Sequence, residues 1–551
     1  MLTGRRALCV STTQSSNGSN DADDDRRHQV KTNKPIPAWT GKTRAPEAAG
    51  GPGKQRSEII TLAVLFVLFR VMMLFWFEPS YSEFERFLYP FMALSNVDYV
   101  AGLGLEPALP FIDYWLEYPP VFPWIALGIY KVQTLITGSG VGAAQAAHFS
   151  IAVSLFLALV DLANLCLVYS MGKKIRGHGF AIRASVAYAL LFFPLVVMSG
   201  YFDTFVLFTI LLSLWALIKG YGKLSAFVAG VGIMTKFIPL ILVPAAVKYV
   251  GKLPPKTAKT PGPMTAAKTT EPGARGAGPE ESGRIFALGP PAAPGSHALV
   301  NYLGTLALTI GVLSAAFLFV RGDFFVMPLR VAVKRPGWET IRALAGGQKD
   351  FGHVTPTVEY IRAHPDDFGS PYVAAISDLS ERLVPNENSR APYCARLISR
   401  FSTNIGYLDG PKDPLTWPML AVVGVLYLCA FLWMRAKATP LNITALAGIT
   451  LMALLIYSHG WSPQFIVYVL PFALIGLHPR TNIPIAIIIS IINFMEMPVW
   501  LRLRLLHPEL GPEQAAPLLW VVVILRTLFL AAIAAGLFIH ATSEAKLSEK
   551  T

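Results

Sequence analysis

The chain has 551 residues, 53% of them hydrophobic and 15% charged, against roughly 25% charged in a soluble globular domain. Mean hydropathy is +0.48, and long apolar runs recur from residue 57 to residue 540, so the length reads as one polytopic helical membrane domain with loops and not as several soluble domains. The net charge of +13 does not call for nucleic acid, because basic excess beside membrane spans is how cytoplasmic segments are marked.

Residues 1–56 hold ten Lys/Arg against five Asp/Glu, a net of +5. Rich in Ser, Asn, Asp, Gly and Pro, they are expected to form a disordered cytoplasmic tail. No cleavable signal is evident, because the first apolar run is too long for a signal-peptide core and is expected to remain a span. An N-terminal membrane module follows over 57–250, with spans near 57–77, 149–171, 182–198, 202–219, 222–236 and 238–250 and an outer loop at 78–148. The segment 251–297 is low in complexity and reads as a disordered cytoplasmic insert; its residues 251–296 hold six Lys/Arg against three Glu, a net of +3. The C-terminal module, 298–540, has spans near 298–320, 416–434, 441–458, 463–477, 482–500 and 517–540 and an outer loop at 321–415. Residues 541–551 close the chain as a short cytoplasmic tail. The fold class is therefore all-α and polytopic, with about twelve transmembrane helices. Cys9, Cys166, Cys394 and Cys429 are scattered and indicate neither a disulfide framework nor a zinc site.

Orientation follows from the basic loops. Lys173, Lys174, Arg176 and Arg183 mark one inner loop, Lys219 with Lys223 the next, and Arg435 with Lys437 and His478 with Arg480 two more. These fall on one side only if the apolar segment 119–137 does not cross. It begins with Pro119 and Pro120, has a third proline at Pro123, and is interrupted by Lys131 and Gln133. An amphipathic helix lying in the outer interface fits it better than a span; a true crossing is the alternative.

Under this topology five polar breaks share the outer face. The first loop carries Glu83, Glu85, Asp113 and Glu117, the last followed by Tyr118-Pro119-Pro120. Carboxylates at a membrane surface can take a proton from a hydroxyl or hold a cation, although an ordinary solvated loop has the same composition. Gly200-Tyr201-Phe202-Asp203 lies at the tip of a hairpin, where Asp203 could equally cap the next helix. Lys236, in Thr235-Lys236-Phe237-Ile238-Pro239, interrupts an apolar run. Such a lysine is costly unless it snorkels or pairs, and a lipid-linked phosphate is a natural partner for its ammonium. Arg335, followed by Pro336-Gly337-Trp338-Glu339, joins a planar donor fork to a stacking face, a pairing also common at membrane interfaces. Ser458 to Gln464 places His459 and Gln464 within a shaped turn able to reach a head group, or simply to join two spans. Asp161, alone within a span, reads as a buried hydrogen-bonded residue. No G-x-G-x-x-G or P-loop is present, and no ligand spacing signals a metal.

In order along the chain, SEFERF, DYWLEYPP, GYFD, TKFIP, RPGWET and WSPQF, with Pro471 in the next span, resemble the GT-C superfamily of integral membrane glycosyltransferases. Within it they are most similar to glycosyltransferase family 87, the polyprenyl-phosphate-mannose-dependent mannosyltransferases. The resemblance runs from residue 57 to about 530 and implies two juxtamembrane helices in the first outer loop. It places Glu83 where the family commonly has a catalytic Asp, with Glu85 close enough to compete. Glu117 matches the acidic residue of an E-x-P-P element, Tyr118 stands where those relatives carry Lys, and Tyr201 stands where the group often has Gln. A fainter resemblance, to the eukaryotic glucosyltransferases that extend the lipid-linked oligosaccharide, ranks second.

The resemblance implies transfer of a sugar, most readily mannose, from a polyprenyl- or dolichyl-phosphate donor to a lipid- or glycan-linked acceptor hydroxyl at the extracytoplasmic face. Glu83 is the expected base. Lys236, Arg335, His459 and Gln464 are expected on the donor phosphate, and Asp113, Glu117, Tyr118, Tyr201 and Asp203 at the acceptor or holding a cation. No cofactor is required, a divalent cation is compatible with these carboxylates, and membrane lipids are the surroundings. The membrane would be the plasma membrane of a prokaryote or the endoplasmic reticulum of a eukaryote. The competing class is a lipid or polysaccharide transporter or polymerase, which should carry internal repeats and charges near the midplane of broken helices. Topology is checked by cysteine accessibility: single cysteines within 85–115 and 340–400 should label from outside and those within 255–290 from inside. Opposite labelling of 255–290 would break the single-face scheme.

Overall fold

The computed structural model describes residues 51–76, 84–102, 106–114, 116–141, 143–252, 296–334, 337–351, 414–434, 437–507 and 509–548. The architecture below concerns the contact unit Gly50–Thr551. The described residues are helical with no strand, the extended elements being two isolated parallel bridges, Pro110 with Tyr114 and Trp338 with Gly460. Of the expected tail over residues 1–56, residues 1–50 lie outside the described residues, and Pro52–Arg56 are helical instead of disordered. Of the expected insert over 251–297, residues 253–295 lie outside them.

The order is α1 (Pro52–Trp76), α2 (Glu85–Pro90) running into a π turn (Phe91–Ser95), α3 (Val97–Gly102), α4 (Val121–Thr137) and α5 (Ala143–Arg176). Next come α6 (His178–Leu190), α7 (Phe192–Gly200), α8 (Asp203–Ile218), α9 (Gly222–Ile233), a 3-10 turn (Ile238–Ile241) and α10 (Leu242–Tyr249). The second part has α11 (Ser296–Lys334), α12 (Ile341–Ala345), α13 (Thr416–Trp433), α14 (Pro440–Tyr457) and a 3-10 turn (Pro463–Phe465). It ends with α15 (Ile466–Gly476), α16 (Asn482–Phe494), a π turn (Met495–Trp500), α17 (Leu501–Leu506) and α18 (Pro512–Ser548).

Seven of these helices are long and apolar enough to cross a membrane: α1, α5, α11, α13, α14, the α16 segment and α18. The pair α6–α7, bent by 54°, makes an eighth if counted as one span. This is a membrane-embedded multi-pass helical protein. The other apolar runs expected as spans are helical too, but shorter, and prolines break several of them. A proline ring clashes with the carbonyl four residues back and removes a donor. Pro194 thus separates α6 from α7 at Leu191, Pro239 prevents α9 from running into α10, and Pro463 sits in the turn before α15.

Burial divides the helices by role. All eleven residues of α15 are buried, whereas α13 buries none. One apolar core takes residues from Phe66 to Ala541, so both sides of the insert build it together. Two expected loops prove partly helical: α11 continues past 320, kinked at Arg321 (φ −147°, ψ 71°), and α18 continues to Ser548 through most of the expected tail. In both cases apolar or strongly helix-forming sequence carries on beyond the expected end.

The segment between α1 and α5 holds α2, α3 and α4. One face of α4 is buried through Phe122, Pro123, Ala126, Leu127, Tyr130 and Gln133, while Leu135 and Ile136 are 86% and 79% exposed. Lys131 Nζ donates to the Ser95 carbonyl at 2.5 Å, and burial holds this ammonium below its ordinary pKa. Tyr130 accepts from Asn96 Nδ2 at 3.1 Å, while burial pushes its hydroxyl up to about 12.

Asp161 is a buried hydrogen-bonded residue, as the sequence suggests. Its Oδ2 accepts from Arg70 Nε at 3.0 Å, and both side chains are 1% exposed. Its Oδ1 accepts from Tyr188 at 2.6 Å, and Arg70 Nη1 reaches the Ala189 carbonyl at 3.2 Å. The pair fastens α1 to α5 and α6. Breaking one partner of such a pair strands a buried charge, whereas replacing both by apolar groups is far milder. Arg70→Met should therefore lower unfolding free energy by about 3–5 kcal/mol, and Arg70→Met/Asp161→Leu should recover most of it, read by denaturant titration in mixed micelles.

Candidate active site at the helix breaks

The Pro239 break leaves Lys236 in a turn between α9 and α10 instead of inside a helix. Its Nζ donates to Asp203 Oδ1 at 2.8 Å; the lysine side chain is 11% exposed and the aspartate fully buried. Asp203 is the first residue of α8, and its side chain does not cap that helix. The carboxylate instead takes Lys236 and the Tyr468 hydroxyl of α15, both on Oδ1. The α8 N-terminus adds favourable partial charge beside it.

Three aromatic rings surround the ammonium: Phe202 at 5.0 Å, Phe465 at 5.1 Å and Tyr118 at 5.2 Å. Rings at this range stabilise a partly desolvated cation through their negative faces. Each comes from a different break in the apolar pattern. The Tyr118 segment is fixed by Val121 N donating to the Met234 carbonyl at 3.0 Å. Tyr118 also stands edge-on to Phe202 at 4.7 Å, and Phe87 of α2 lies 5.6 Å from Phe202 and 6.2 Å from Tyr118. Phe87 of SEFERF, Tyr118 of EYPP, Phe202 and Asp203 of GYFD, Lys236 of TKFIP and Phe465 of WSPQF therefore meet at one place.

RPGWET joins them through the second bridge. Trp338 N donates to the His459 carbonyl at 3.1 Å, Trp461 N donates to the Trp338 carbonyl at 3.0 Å, and Thr340 Oγ1 reaches the His459 carbonyl at 3.4 Å. Trp338 lies over Gly460 so closely that no Cβ fits there. Behind the bridge, Arg526 of α18 donates to Glu496 Oε2 at 2.6 Å and to the Glu339 carbonyl at 2.5 Å. Its guanidinium also stacks on Trp461, 4.3 Å from the ring centroid. Trp461 in turn donates to Asn493 Oδ1 at 3.2 Å and stands edge-on to Phe465 at 6.0 Å. Glu339 adopts φ 53°, a strained conformation for a non-glycine residue that is held by the Arg526 bond and by Glu339 N donating to Gln348 Oε1 at 2.6 Å.

Of the residues expected at the site, Lys236, Asp203 and Tyr118 come together; half-buried Glu117 precedes Tyr118 in the chain, and buried Gln464 precedes Phe465. Tyr201 is buried, and its hydroxyl donates to the Met497 sulfur at 3.5 Å. Asp113 is exposed and accepts from Leu109 N at 2.7 Å, closing its own turn. His459 contributes its carbonyl to the bridge. Glu83 and Arg335 lie outside the described residues. Sequence reasoning missed Tyr468, Phe465, Arg526 and Glu496; a charge inside an apolar run was the available signal for Arg526 and Glu496.

Among the described residues, no group of three or more His, Cys, Asp or Glu side chains is placed to hold a metal ion. No protein-family model matches the chain, and no curated protein matches it either. The Trp338–Gly460 lock has a direct check. Gly460→Ala should separate the bridge, lower thermal stability in detergent by several degrees and sharply reduce any activity, whereas Gly424→Ala, where nothing lies near a new Cβ, should do neither.

Proposed function

We propose that the chain is a GT-C-type glycosyltransferase with about twelve spans, moving a sugar, mannose before others, from a polyprenyl- or dolichyl-phosphate donor to an acceptor hydroxyl at the extracytoplasmic face. The supporting observation is Lys236: an 11%-exposed ammonium held by a buried carboxylate and ringed by aromatic faces from three separate breaks. A cation fixed in low dielectric at a partly open point suits the charge that grows on a departing phosphate. The rings beside it suit an isoprenoid or a sugar face.

In this reading the acceptor oxygen attacks the anomeric carbon while the bond from that carbon to the phosphate oxygen breaks, with inversion. Glu83 takes the hydroxyl proton, and the lipid phosphate leaves carrying the electron pair, its charge met by Lys236. Glu117, half-buried and next to Tyr118 in the chain, serves the acceptor or a cation in this reading. Asp203 serves behind the lysine, since it is fully buried.

The transporter reading has one observation in its favour: ion pairs closed inside the bundle at Arg70–Asp161 and Arg526–Glu496. Both are nearly solvent-free and tied into neighbouring backbone, which suits a fastening more than a path. Activity separates the two. With lipid-phosphate mannose, glucose or arabinose as donor, Glu83→Gln should cut turnover by about two to four powers of ten with donor binding little changed. Lys236→Met should weaken donor binding instead. Near-normal behaviour of both variants, together with Glu85→Gln, Asp113→Asn and Asp203→Asn, would favour the transporter.

A further inference from the structure

Among the described residues the same three-part unit, a cation, an aspartate and a tyrosine, occurs twice with different wiring. In Arg70–Asp161–Tyr188 each carboxylate oxygen has its own donor: Arg70 holds Oδ2 and Tyr188 holds Oδ1. In Lys236–Asp203–Tyr468 both donors converge on Oδ1, and Asp203 Oδ2 is buried with no hydrogen-bond partner. A buried polar atom left this way carries a desolvation cost and calls for an explanation. The cations differ as well. Arg70 is 1% exposed, whereas Lys236 retains a surface among aromatic rings.

The wiring has a mechanical consequence. A carboxylate with two equivalent oxygens can turn about its terminal torsion and receive an ammonium on either. Tyr468, presented by the wholly buried α15, fixes Oδ1 and so fixes that torsion. Lys236 then meets one oxygen end-on and keeps its other N–H groups for a ligand. Without the tyrosine hydroxyl, Asp203 would be free to turn and draw the ammonium into a two-oxygen contact, away from the three rings.

We propose that Tyr468 is a positioning residue, acting through Asp203 to hold Lys236 presented toward the phosphate of a lipid-linked ligand. The proposal rests on Lys236 being the phosphate-binding cation. Tyr188 supplies the comparison, because Tyr188→Phe removes the same kind of buried bond from the unit that has no ligand-facing cation.

The test uses full-length protein in lipid nanodiscs, titrated with undecaprenyl phosphate, together with thermal unfolding of each variant. Tyr468→Phe should weaken binding about tenfold, the scale of one hydrogen bond to a charged group. Tyr188→Phe should lower thermal stability comparably and leave binding unchanged, and Lys236→Met should reduce binding further than Tyr468→Phe. If Tyr468→Phe does not fold, Asp203→Asn, which keeps side-chain size and weakens the same junction, should show the binding loss. Wild-type binding by Tyr468→Phe, or equal binding losses in Tyr468→Phe and Tyr188→Phe, overturns the positioning role while leaving Lys236 as the phosphate contact. Unchanged binding by Lys236→Met, or no binding by the wild type, overturns the phosphate site itself and the positioning role with it.

Discussion

An ammonium enclosed by hydrocarbon is tolerable only where something of opposite sign or high polarisability meets it, and the contact between Lys236 and Asp203 meets that need. Neither residue lies in a helix interior. Lys236 occupies a turn that Pro239 enforces, and Asp203 opens α8. Because the two must meet at 2.8 Å, the end of α9 and the start of α8 are fixed against each other. The rings that screen the cation then bring in the Tyr118 segment and the start of α15. The candidate site is what the surrounding chain becomes once that charge is accommodated.

The other interior pairs extend the same logic through the bundle. Arg70 with Asp161 ties α1 to α5 and α6, and Arg526 with Glu496 ties α18 to the break after α16. Helices of sixteen and twelve residues, such as α8 and α9, are short for a hydrocarbon layer of about 30 Å. Packing around these polar fastenings gives them fixed positions that apolar contact alone would leave free to slide, since lipid tails are as apolar as leucine. The edge-on pair Trp461–Phe465 lies between two of the fastenings, with Arg526 on one ring and Lys236 on the other.

Much of this was legible before any coordinates. Long apolar runs gave the helices, prolines marked the breaks, and a lysine followed three residues later by Pro239 stood out because few contexts tolerate it. That α4 is helical was readable from its apolar run, but not that Gln133 is buried while Leu135 and Ile136 are exposed. Tyr468 was not, because a tyrosine in an apolar run looks like packing until its hydroxyl is seen on a carboxylate. Arg70 and Arg526 carried the same signal as Lys236, but each sits in an uninterrupted helix with no turn residue to draw attention. Helix lengths were the least legible. Hydropathy reports where a chain is apolar and not whether it faces lipid or other helices, so buried runs such as α15 read as full spans.

The helix α13 shows the opposite extreme. Thr416 accepts from Arg342 at 2.8 Å, Tyr427 meets Thr450 at 3.1 Å, Lys248 donates to the Phe431 carbonyl, and Tyr427, Ala430 and Phe431 lean on the core. The helix otherwise presents apolar side chains outward and buries none. Its solvent is the acyl chain, which does not discriminate among leucine, valine and phenylalanine. Little information is then needed to specify it: a few points of attachment along one side and a sufficient length of grease. Sequence drift should accumulate along α13 far faster than along α15, so that in a lineage of such proteins its residues would record membrane thickness and lipid composition more faithfully than they record function.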